Sequence, residues 1–369
     1  MSNPLALYQF AGDDREIGRA HGEALRGEIA DLLERRSHAL QEMGGQSFEV
    51  LADIARRAGF LEAAKRWTPH LVEEIRGIGE GANLTFPVAF AWQLLDELEW
   101  LCRAPSEIRA GPGRCSALSV FGGDGATLLA QNADMGASFE GSPIVVHLTR
   151  SEHRDQVITV TVPGVCGLWG MNDRGVGLCL NAMDVPGLRR ADGLATSLVA
   201  RRVLESTSLE TAERFLRAVD HATQETYTLG APGQAACFEC SPRGTVRLDP
   251  WPAPGLICHT NHPLAQPDGD PNVEGRADSE ARLEAMVTRL GAVPTPVESS
   301  DLIAILSSHD DAEHPICRHE KSGSDALTTF AVAMELDAQS LRLAVCAGRP
   351  CCGAFQTFSL EPATAPETD

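Results

Sequence analysis

The pattern of the sequence changes at GRCSALSV, residues 113–120. Before this stretch, apolar residues recur with the spacing of an α-helix. After it, short apolar runs alternate with Gly and Asn/Asp turns, which is typical of β-strands. The residues just before it, APSEIRAGPGR (104–114), are rich in Pro, Gly and Arg and predict an exposed linker. Cys115 therefore begins the strand-rich part of the chain.

A cysteine in this position can become a chain terminus. If the bond between Arg114 and Cys115 were cut, Cys115 would carry both a thiol and its own α-amine. An α-amine has a pKa of about 7.7–8.0, so it can accept the thiol proton near neutral pH. One residue would then supply a nucleophile and its base. The alternative is a small buried apolar residue, because most free cysteines are unreactive.

Composition predicts a globular, acidic protein. Of 369 residues, 43% are hydrophobic and 22% are charged, which suits a packed core. The formal net charge is -20, so nucleic acid and anionic membranes are not expected as partners. No apolar run reaches the roughly 18–20 residues of a membrane span, and no secretion signal is recognisable. Together with an odd number of cysteines, 11, this favours reduced thiols and a cytoplasmic location.

Periodicity predicts the order of the secondary-structure elements. The first hundred residues are expected to be helical, with one helix near residues 87–102. Strands follow, then two helices, strands, two helices, and three final strands. The turn at residues 122–125, GGDG, predicts a hairpin between the first two strands. This order fits two sheets packed together with helices outside, an α+β fold.

Seven motifs, in order along most of the chain, resemble those of the acyl-coenzyme A:6-aminopenicillanic acid acyltransferase family. This family is a branch of the N-terminal nucleophile hydrolases. The order and spacing of the motifs make the resemblance specific, although no single motif is decisive. The motifs are EIGRAHGEAL (16–25), RCSALSV (114–120), QNADM (131–135), GLWGMNDRGVGLCLN (167–181), CHTNHPL (258–264), HPICRH (314–319) and AGRPCCGAF (347–355).

The resemblance implies the four-layer αββα sandwich of these hydrolases, in agreement with the order of elements. It also implies an inactive precursor that cuts itself between Arg114 and Cys115. The products would be a helical α chain or pro-segment, residues 1–114, and a catalytic β chain, residues 115–369, which stay associated. The chain departs from the family pattern in having Arg114 where many members have Gly, and Ala133 where they often have Trp.

The resemblance also assigns roles near the first two strands. Cys115 is the implied nucleophile, and Asp134 is implied to hold and orient the α-amine. The predicted hairpin returns Asp134 to the side of Cys115, although an aspartate in a turn is the simpler interpretation. Asn132 lies two residues before Asp134 and so shares its face of the strand. Asn132 and Ser116 are expected to support the site.

Two further roles fall in the second half of the chain. Asn261 is implied to donate a hydrogen bond to the tetrahedral oxyanion, whereas its sequence alone suits a turn. Arg318 is implied to reach the site and to help with charge or with a substrate carboxylate. The alternative for Arg318 is a surface arginine paired with Asp310 or Asp311.

No metal and no organic cofactor are expected. Cys237 and Cys240 have CxxC spacing, but no second pair follows at the distance of a zinc site. His259 and His262, in a strand–turn setting, are interpreted as packing and hydrogen-bonding residues. A thiol-based zinc protein is the remaining alternative, and it predicts metal in elemental analysis.

The expected activity is that of a self-processing cysteine amidohydrolase or acyltransferase acting on a small N-acyl amide or acyl thioester. Water as acceptor gives hydrolysis, the default outcome, and a bound amine gives acyl transfer. One alternative is an amidase of the penicillin V acylase or bile-salt hydrolase type, against which the long segment before Cys115 counts. The other is an unprocessed homologue that binds a small ligand. The expected partners are the substrate and the chain's own two fragments, and homo-oligomer formation is left open.

Overall fold

The computed structural model describes residues 5–42, 46–102, 115–122, 125–152, 155–183, 189–265, 273–320 and 326–363. These residues form eleven α-helices and fourteen β-strands. The helices are α1 (Asp14–Ala24), α2 (Arg26–Glu42), α3 (Phe48–Ala58), α4 (Phe60–Trp67), α5 (Pro69–Ala82), α6 (Phe86–Ala91), α7 (Leu95–Cys102), α8 (Thr196–Val203), α9 (Leu209–Ala218), α10 (Val273–Ala292) and α11 (Ser299–Leu306). The strands are β1 (Leu7–Gly12), β2 (Ser116–Val120), β3 (Thr127–Gly136), β4 (Ile144–Arg150), β5 (Gln156–Thr161), β6 (Trp169–Asn172), β7 (Gly177–Ala182), β8 (Glu225–Ala231), β9 (Gln234–Ser241), β10 (Gly244–Leu248), β11 (Leu256–His259), β12 (Ala326–Leu336), β13 (Leu341–Ala347) and β14 (Phe355–Leu360).

Two sheets form the centre of the fold. The larger sheet has eight strands in the order β1-β4-β5-β6-β7-β8-β9-β10, and the smaller has six in the order β11-β2-β3-β12-β13-β14. The sheets face each other, with β2 and β3 against β7 and β8. Helices α8 and α9 cover the larger sheet, and α10 and α11 cover the smaller one. The predicted four-layer αββα sandwich is therefore confirmed.

Strand β3 contributes side chains to two apolar layers. Ala130 belongs to the cluster beneath α10 and α11, whereas Leu129 and Ala133 belong to the core between the sheets. Because side chains alternate along a strand, Asn132 and Asp134 face the α10–α11 layer. This places the polar end of β3 between the smaller sheet and its helices.

The expectation of helices alone before Cys115 is wrong at one place, because Leu7–Gly12 forms strand β1. This strand pairs in parallel with β4 and forms one edge of the larger sheet. Burial alternates along β1, with Tyr8 and Phe10 on the less exposed face, but the sequence LYQFAG does not alternate apolar and polar residues and so gives no strand signal. Its structure depends on pairing with β4 rather than on local sequence.

The single helix expected over residues 87–102 is in fact two helices, α6 and α7. The break lets two side chains reach the loop that precedes β6. Trp92 Nε1 donates to Pro163 O at 2.8 Å, and Gln93 Nε2 donates to Gly164 O at 2.8 Å. Gln93 Oε1 also accepts from Cys166 N at 3.0 Å. Both side chains are buried, so these bonds satisfy polar atoms removed from water.

The part of the chain before Cys115 shares one apolar core with the part after it. Ile17 and Trp92 belong to the same buried cluster as Val145 and Leu198. Among the described residues, no helix is both long enough and apolar enough to cross a lipid bilayer.

Helices α1 and α5 cross with their backbones in contact, through glycines spaced four residues apart on each helix. A Cβ atom at Gly18 would lie 1.9 Å from the carbonyl oxygen of Glu74. A Cβ atom at Gly77 would lie 2.2 Å from the carbonyl oxygen of Arg15. Both distances are far shorter than a van der Waals contact, so the crossing admits only glycine at these positions.

Replacing either crossing glycine should destabilise the fold. We expect Gly18→Ala and Gly77→Ala to lower the free energy of unfolding by about 1–3 kcal/mol or more, the usual cost of overpacking. The matched control is Gly27→Ala in α2, because a Cβ atom there meets nothing within 4 Å. Alanine favours the helix, so this control should be neutral or up to about 1 kcal/mol more stable. Urea denaturation checks the prediction, which fails if all three variants unfold at the wild-type midpoint.

Candidate active site

The predicted site residues meet where β2 begins and β3 ends. Cys115 immediately precedes β2 and is 6% exposed. Strand β2 pairs with β3 so that Ser116 lies opposite Asn132. This register brings the end of β3, with Asp134, beside Cys115, as the predicted hairpin requires.

The Cys115 thiol is held in its protonated form in the intact chain. Burial raises the pKa of this thiol to about 12, and the nearby charge of Asp134 acts in the same direction. Hydrogen bonds to the sulfur from the Asp134 backbone and the Gln131 side chain lower the pKa in part. Gln131 is itself fixed across the two sheets, because Leu180 N of β7 donates to its Oε1 at 2.9 Å. The sulfur is therefore buried, and hydrogen bonds from its neighbours hold it in place.

Asp134 is a fully buried carboxyl group with one unused acceptor. Thr328 Oγ1 donates to its Oδ1 at 2.6 Å, whereas its Oδ2 has no hydrogen-bond partner among the described residues. Burial raises the pKa of Asp134 to about 6, although the charges of Arg318 and Arg282 oppose this shift. Most Asp134 side chains are thus ionised at neutral pH, and a buried carboxylate oxygen is left open to a donor.

A buried arginine of α10, Arg282, ties the site together. Its Nη1 donates to the Cys115 carbonyl oxygen at 2.7 Å and to Ser116 Oγ at 2.8 Å. Its Nη2 donates to Asn261 Oδ1 at 2.8 Å, and its Nε to Asp278 Oδ2 at 3.0 Å. One guanidinium group therefore fixes the backbone of Cys115, the neighbouring hydroxyl, and the orientation of the Asn261 amide.

Arg318 belongs to the same buried network. Its Nη1 donates to Asp278 Oδ1 at 2.7 Å, and its backbone N–H donates to Thr328 Oγ1 at 2.9 Å. Arg318 is only 7% exposed, and Asp310 pairs with Arg289 instead. The alternative of a surface arginine paired with Asp310 or Asp311 is therefore wrong.

The two asparagines have different positions. Asn261 N donates to Ser279 Oγ at 2.8 Å, and its Nδ2 donates to Ala182 O at 2.8 Å. Asn132 lies behind the site, where its Nδ2 donates to Leu306 O at 2.8 Å and to Ile316 O at 3.0 Å. Asn132 thus anchors the segment that carries Arg318.

The structure brings together five of the predicted residues. Cys115, Ser116, Asp134, Asn261 and Arg318 are linked through shared partners, as the distances above show. The remaining half of the proposed cleavage site, the arginine at position 114, lies outside the described residues.

Four residues of the network had no role predicted from the sequence. Asp278 and Arg282 stand four residues apart on α10, which is the spacing of an ordinary ion pair on a helix surface. That signal is too common to mark a site. Thr328 has no local signal, and Gln131 stands in the motif QNADM (131–135) without a predicted role of its own, because the roles of Thr328 and Gln131 depend on contacts with distant strands. They bind Asp134 and the backbone of Leu180, respectively.

The histidines weighed as metal ligands near β11 have protein partners, as the strand–turn interpretation predicts. His259 Nε2 lies 3.0 Å from Glu239 Oε1, and both side chains are fully buried. His262 Nδ1 lies 2.8 Å from Ser279 Oγ. Both imidazoles therefore make hydrogen bonds within the protein.

Two facing sheets with helices on both outer faces define the class, the four-layer sandwich fold of the N-terminal nucleophile hydrolases. The chain belongs to the acyl-coenzyme A:6-aminopenicillanic acid acyl-transferase family, whose sequence model matches residues 120–351. The matched region includes Asp134, Asn261 and Arg318 and begins shortly after Cys115.

Two known proteins are similar to this chain. The 40 kDa form of acyl-coenzyme A:6-aminopenicillanic-acid-acyltransferase from Emericella nidulans is 29% identical over 265 residues, covering 69% of this chain and 68% of that protein. Among solved structures, penicillin V acylase from Agrobacterium tumefaciens aligns with a TM-score of 0.42 and 12% identity. That alignment covers 67% of this chain and 86% of the acylase chain.

Removing the central arginine should destabilise the protein strongly. We expect Arg282→Met to lower the free energy of unfolding by about 3–5 kcal/mol, because it breaks a buried ion pair and leaves several acceptors unsatisfied. The matched control is Arg276→Met on the same helix. Arg276 is exposed and pairs with Glu280, so its loss should cost only about 0.3–0.5 kcal/mol. Equal losses in the two variants, measured by chemical denaturation, would contradict the central role of Arg282.

Proposed function

We propose that this chain is a self-processing N-terminal cysteine amidohydrolase or acyltransferase that works through an acyl-enzyme on Cys115. Membership of an acyltransferase family supports acyl chemistry. The observation that carries the mechanism is the position of the Cys115 thiol beside Asp134, a buried carboxylate with a vacant oxygen. Family relationship and site geometry thus favour the same chemistry.

In the proposed self-cleavage, the Cys115 sulfur attacks the Arg114 carbonyl carbon. The S–C bond forms, the C–N bond breaks, and the leaving nitrogen takes the thiol proton. Water then hydrolyses the thioester, which frees the Arg114 carboxylate and regenerates the thiol. Burial raises the pKa of the thiol to about 12, so in the uncut chain little of the sulfur is in the thiolate form that attacks a carbonyl carbon. We therefore expect self-cleavage to be slow compared with later turnover.

The proposed cut supplies what the intact chain lacks. The new α-amine is a base with a pKa of about 7.7–8.0. This value is close to neutral pH, so the amine can accept the thiol proton under physiological conditions. Asp134 Oδ2 has no partner among the described residues and is available to accept a hydrogen bond from this amine. The amine then takes the thiol proton, and the resulting ammonium–thiolate pair attacks the substrate carbonyl. Asp134 would thus position the amine, not the sulfur.

Asn261 is suited to the oxyanion role because its side chain is held in one orientation. Its Oδ1 accepts from Arg282, so the amide nitrogen, which donates hydrogen bonds, is directed to the opposite side. A fixed N–H donor can stabilise the negative oxygen of a tetrahedral intermediate without reorganisation. For Arg318 we propose an indirect role, because its charge helps to keep Asp134 ionised.

The proposed substrate is a small N-acyl amide or acyl thioester. Hydrolysis is the default outcome, and acyl transfer requires a bound amine in place of water. The two fragments are expected to remain together, because residues before and after Cys115 share one core and one sheet. The alternatives are an amidase of the penicillin V acylase or bile-salt hydrolase type, and an uncut protein that binds a small ligand.

The Cys115→Ala variant tests the proposal directly. We expect it to stay as one band near 39.5 kDa on a denaturing gel and to lack activity against every acyl amide that the wild type cleaves. The wild type should give two bands, and the larger should begin with Cys115 on terminal sequencing. Cys352→Ala, at an exposed cysteine, is the control and should be cut normally. An uncut wild type would favour the ligand-binding alternative, and full activity of Cys115→Ala would refute the proposal.

The rate of self-cleavage should depend on the ionisation of Asp134. As the pH falls through the pKa of this group, about 6, the carboxylate is protonated and can no longer stabilise the leaving nitrogen as that nitrogen gains the thiol proton. Thr328→Val removes a hydrogen bond that favours the carboxylate, so the pKa should rise and the decline should begin at higher pH. Thr328→Ser retains the hydroxyl and should keep the wild-type profile. Gel densitometry of freshly translated protein gives the rates, and identical profiles for both variants would contradict this role of Asp134.

A further inference from the structure

Four potential metal ligands converge outside the network of Cys115. They are His309, Cys317, His319 and Cys351, and their ligand atoms all lie within 4.8 Å of one another. Three of them lie between α11 and β12, and Cys351 lies in the turn between β13 and β14. Cys317 is buried, whereas the other three are at the surface. Separate parts of the chain therefore place two sulfur and two nitrogen donors around one point.

The donor set and its dimensions fit zinc. Tetrahedral Zn²⁺ binds sulfur at about 2.3 Å and imidazole nitrogen at about 2.0–2.1 Å, so neighbouring donor atoms stand roughly 3.3–3.8 Å apart. His319 Nε2 lies 3.1 Å from Cys351 Sγ, and the rings of His309 and His319 have centroids 5.0 Å apart. Side-chain movements of about 1 Å would close the remaining gaps. Two thiolates also neutralise the charge of the ion.

We propose that His309, Cys317, His319 and Cys351 form a structural Zn²⁺ site. Four protein ligands fill a tetrahedral shell, which is the mark of a structural rather than a catalytic zinc. The thiols bind by releasing their protons to solvent, so two protons leave for each ion bound.

This site would hold the segment that carries Arg318. Cys317 and His319 are the immediate neighbours of Arg318 in the sequence, and Cys317 N already donates to Ser308 O at 3.0 Å. Zinc would fasten both neighbours to Cys351 and so keep the Arg318 guanidinium against Asp278. In this role the metal supports the active site from outside and takes no part in the reaction.

Metal analysis of the full-length protein tests the site independently of any activity. Protein purified without chelators and incubated with one equivalent of Zn²⁺ should retain one zinc per chain after gel filtration. Cys351→Ser and His319→Ala should each lose this zinc, and both residues are at the surface, so the variants should fold. The matched control, Cys352→Ser, changes the adjacent exposed cysteine and should retain the zinc. Circular dichroism checks that all variants are folded.

Cobalt provides a second readout. Co²⁺ added to the metal-free wild type should give the visible absorption of a tetrahedral thiolate complex, and Cys351→Ser should not. The proposal is overturned if the wild type retains no zinc, or if Cys351→Ser retains as much as Cys352→Ser. It is also overturned if intact and peptide mass spectrometry find a Cys317–Cys351 disulfide in freshly purified, metal-free protein.

Discussion

The geometry of the site depends on the buried guanidinium group of Arg282, because each of its N–H donors needs a hydrogen-bond acceptor in the protein. Arg282 is fully buried, and an unpaired charge in that position would cost several kcal/mol. Its planar fork spreads five N–H donors over three nitrogen atoms, whereas a lysine offers three donors from a single nitrogen. The acceptors are the Cys115 carbonyl, Ser116, Asn261 and Asp278, so one residue sets the geometry of the whole network. Hydrogen bonds from Arg282 to these acceptors replace its hydration by water, and they fix the arrangement of the site.

The charges of the buried network balance. Two carboxyl groups, Asp134 and Asp278, face two cations, Arg282 and Arg318. A new amine beside a thiol adds no net charge, whether the proton lies on sulfur or on nitrogen. Proton transfer within such a pair creates a dipole rather than an isolated ion, and dipoles are far cheaper to hold in a low-dielectric interior. The arrangement of fixed charges thus suits the proposed chemistry.

The sheets were predictable from sequence because their strands are bounded by turns and have apolar faces. The hairpin of β2 and β3 follows from such a pattern, and with it the approach of Asp134 to Cys115. The strand β1 was missed because only one of its side chains is buried and because its extended conformation depends on pairing with β4. Asp278 and Arg282 were missed because the exposed pair Arg276–Glu280 on the same helix has the same spacing. Sequence spacing describes a helix face, but it does not tell which face is buried.

Strand β1 has a further consequence for how the molecule reaches its final form. The backbone groups of β4 are covered on one side by β1, from Leu7 beside Val145 to Gly12 beside Arg150. Without that cover, β4 would offer an open edge to any other extended chain, which is a route to aggregation. Because β1 precedes β4 in the sequence, the ribosome synthesises β1 first. The pairing partner of β4 is therefore present when β4 is made. A partner made earlier in the same chain can therefore pair with β4 before another molecule does.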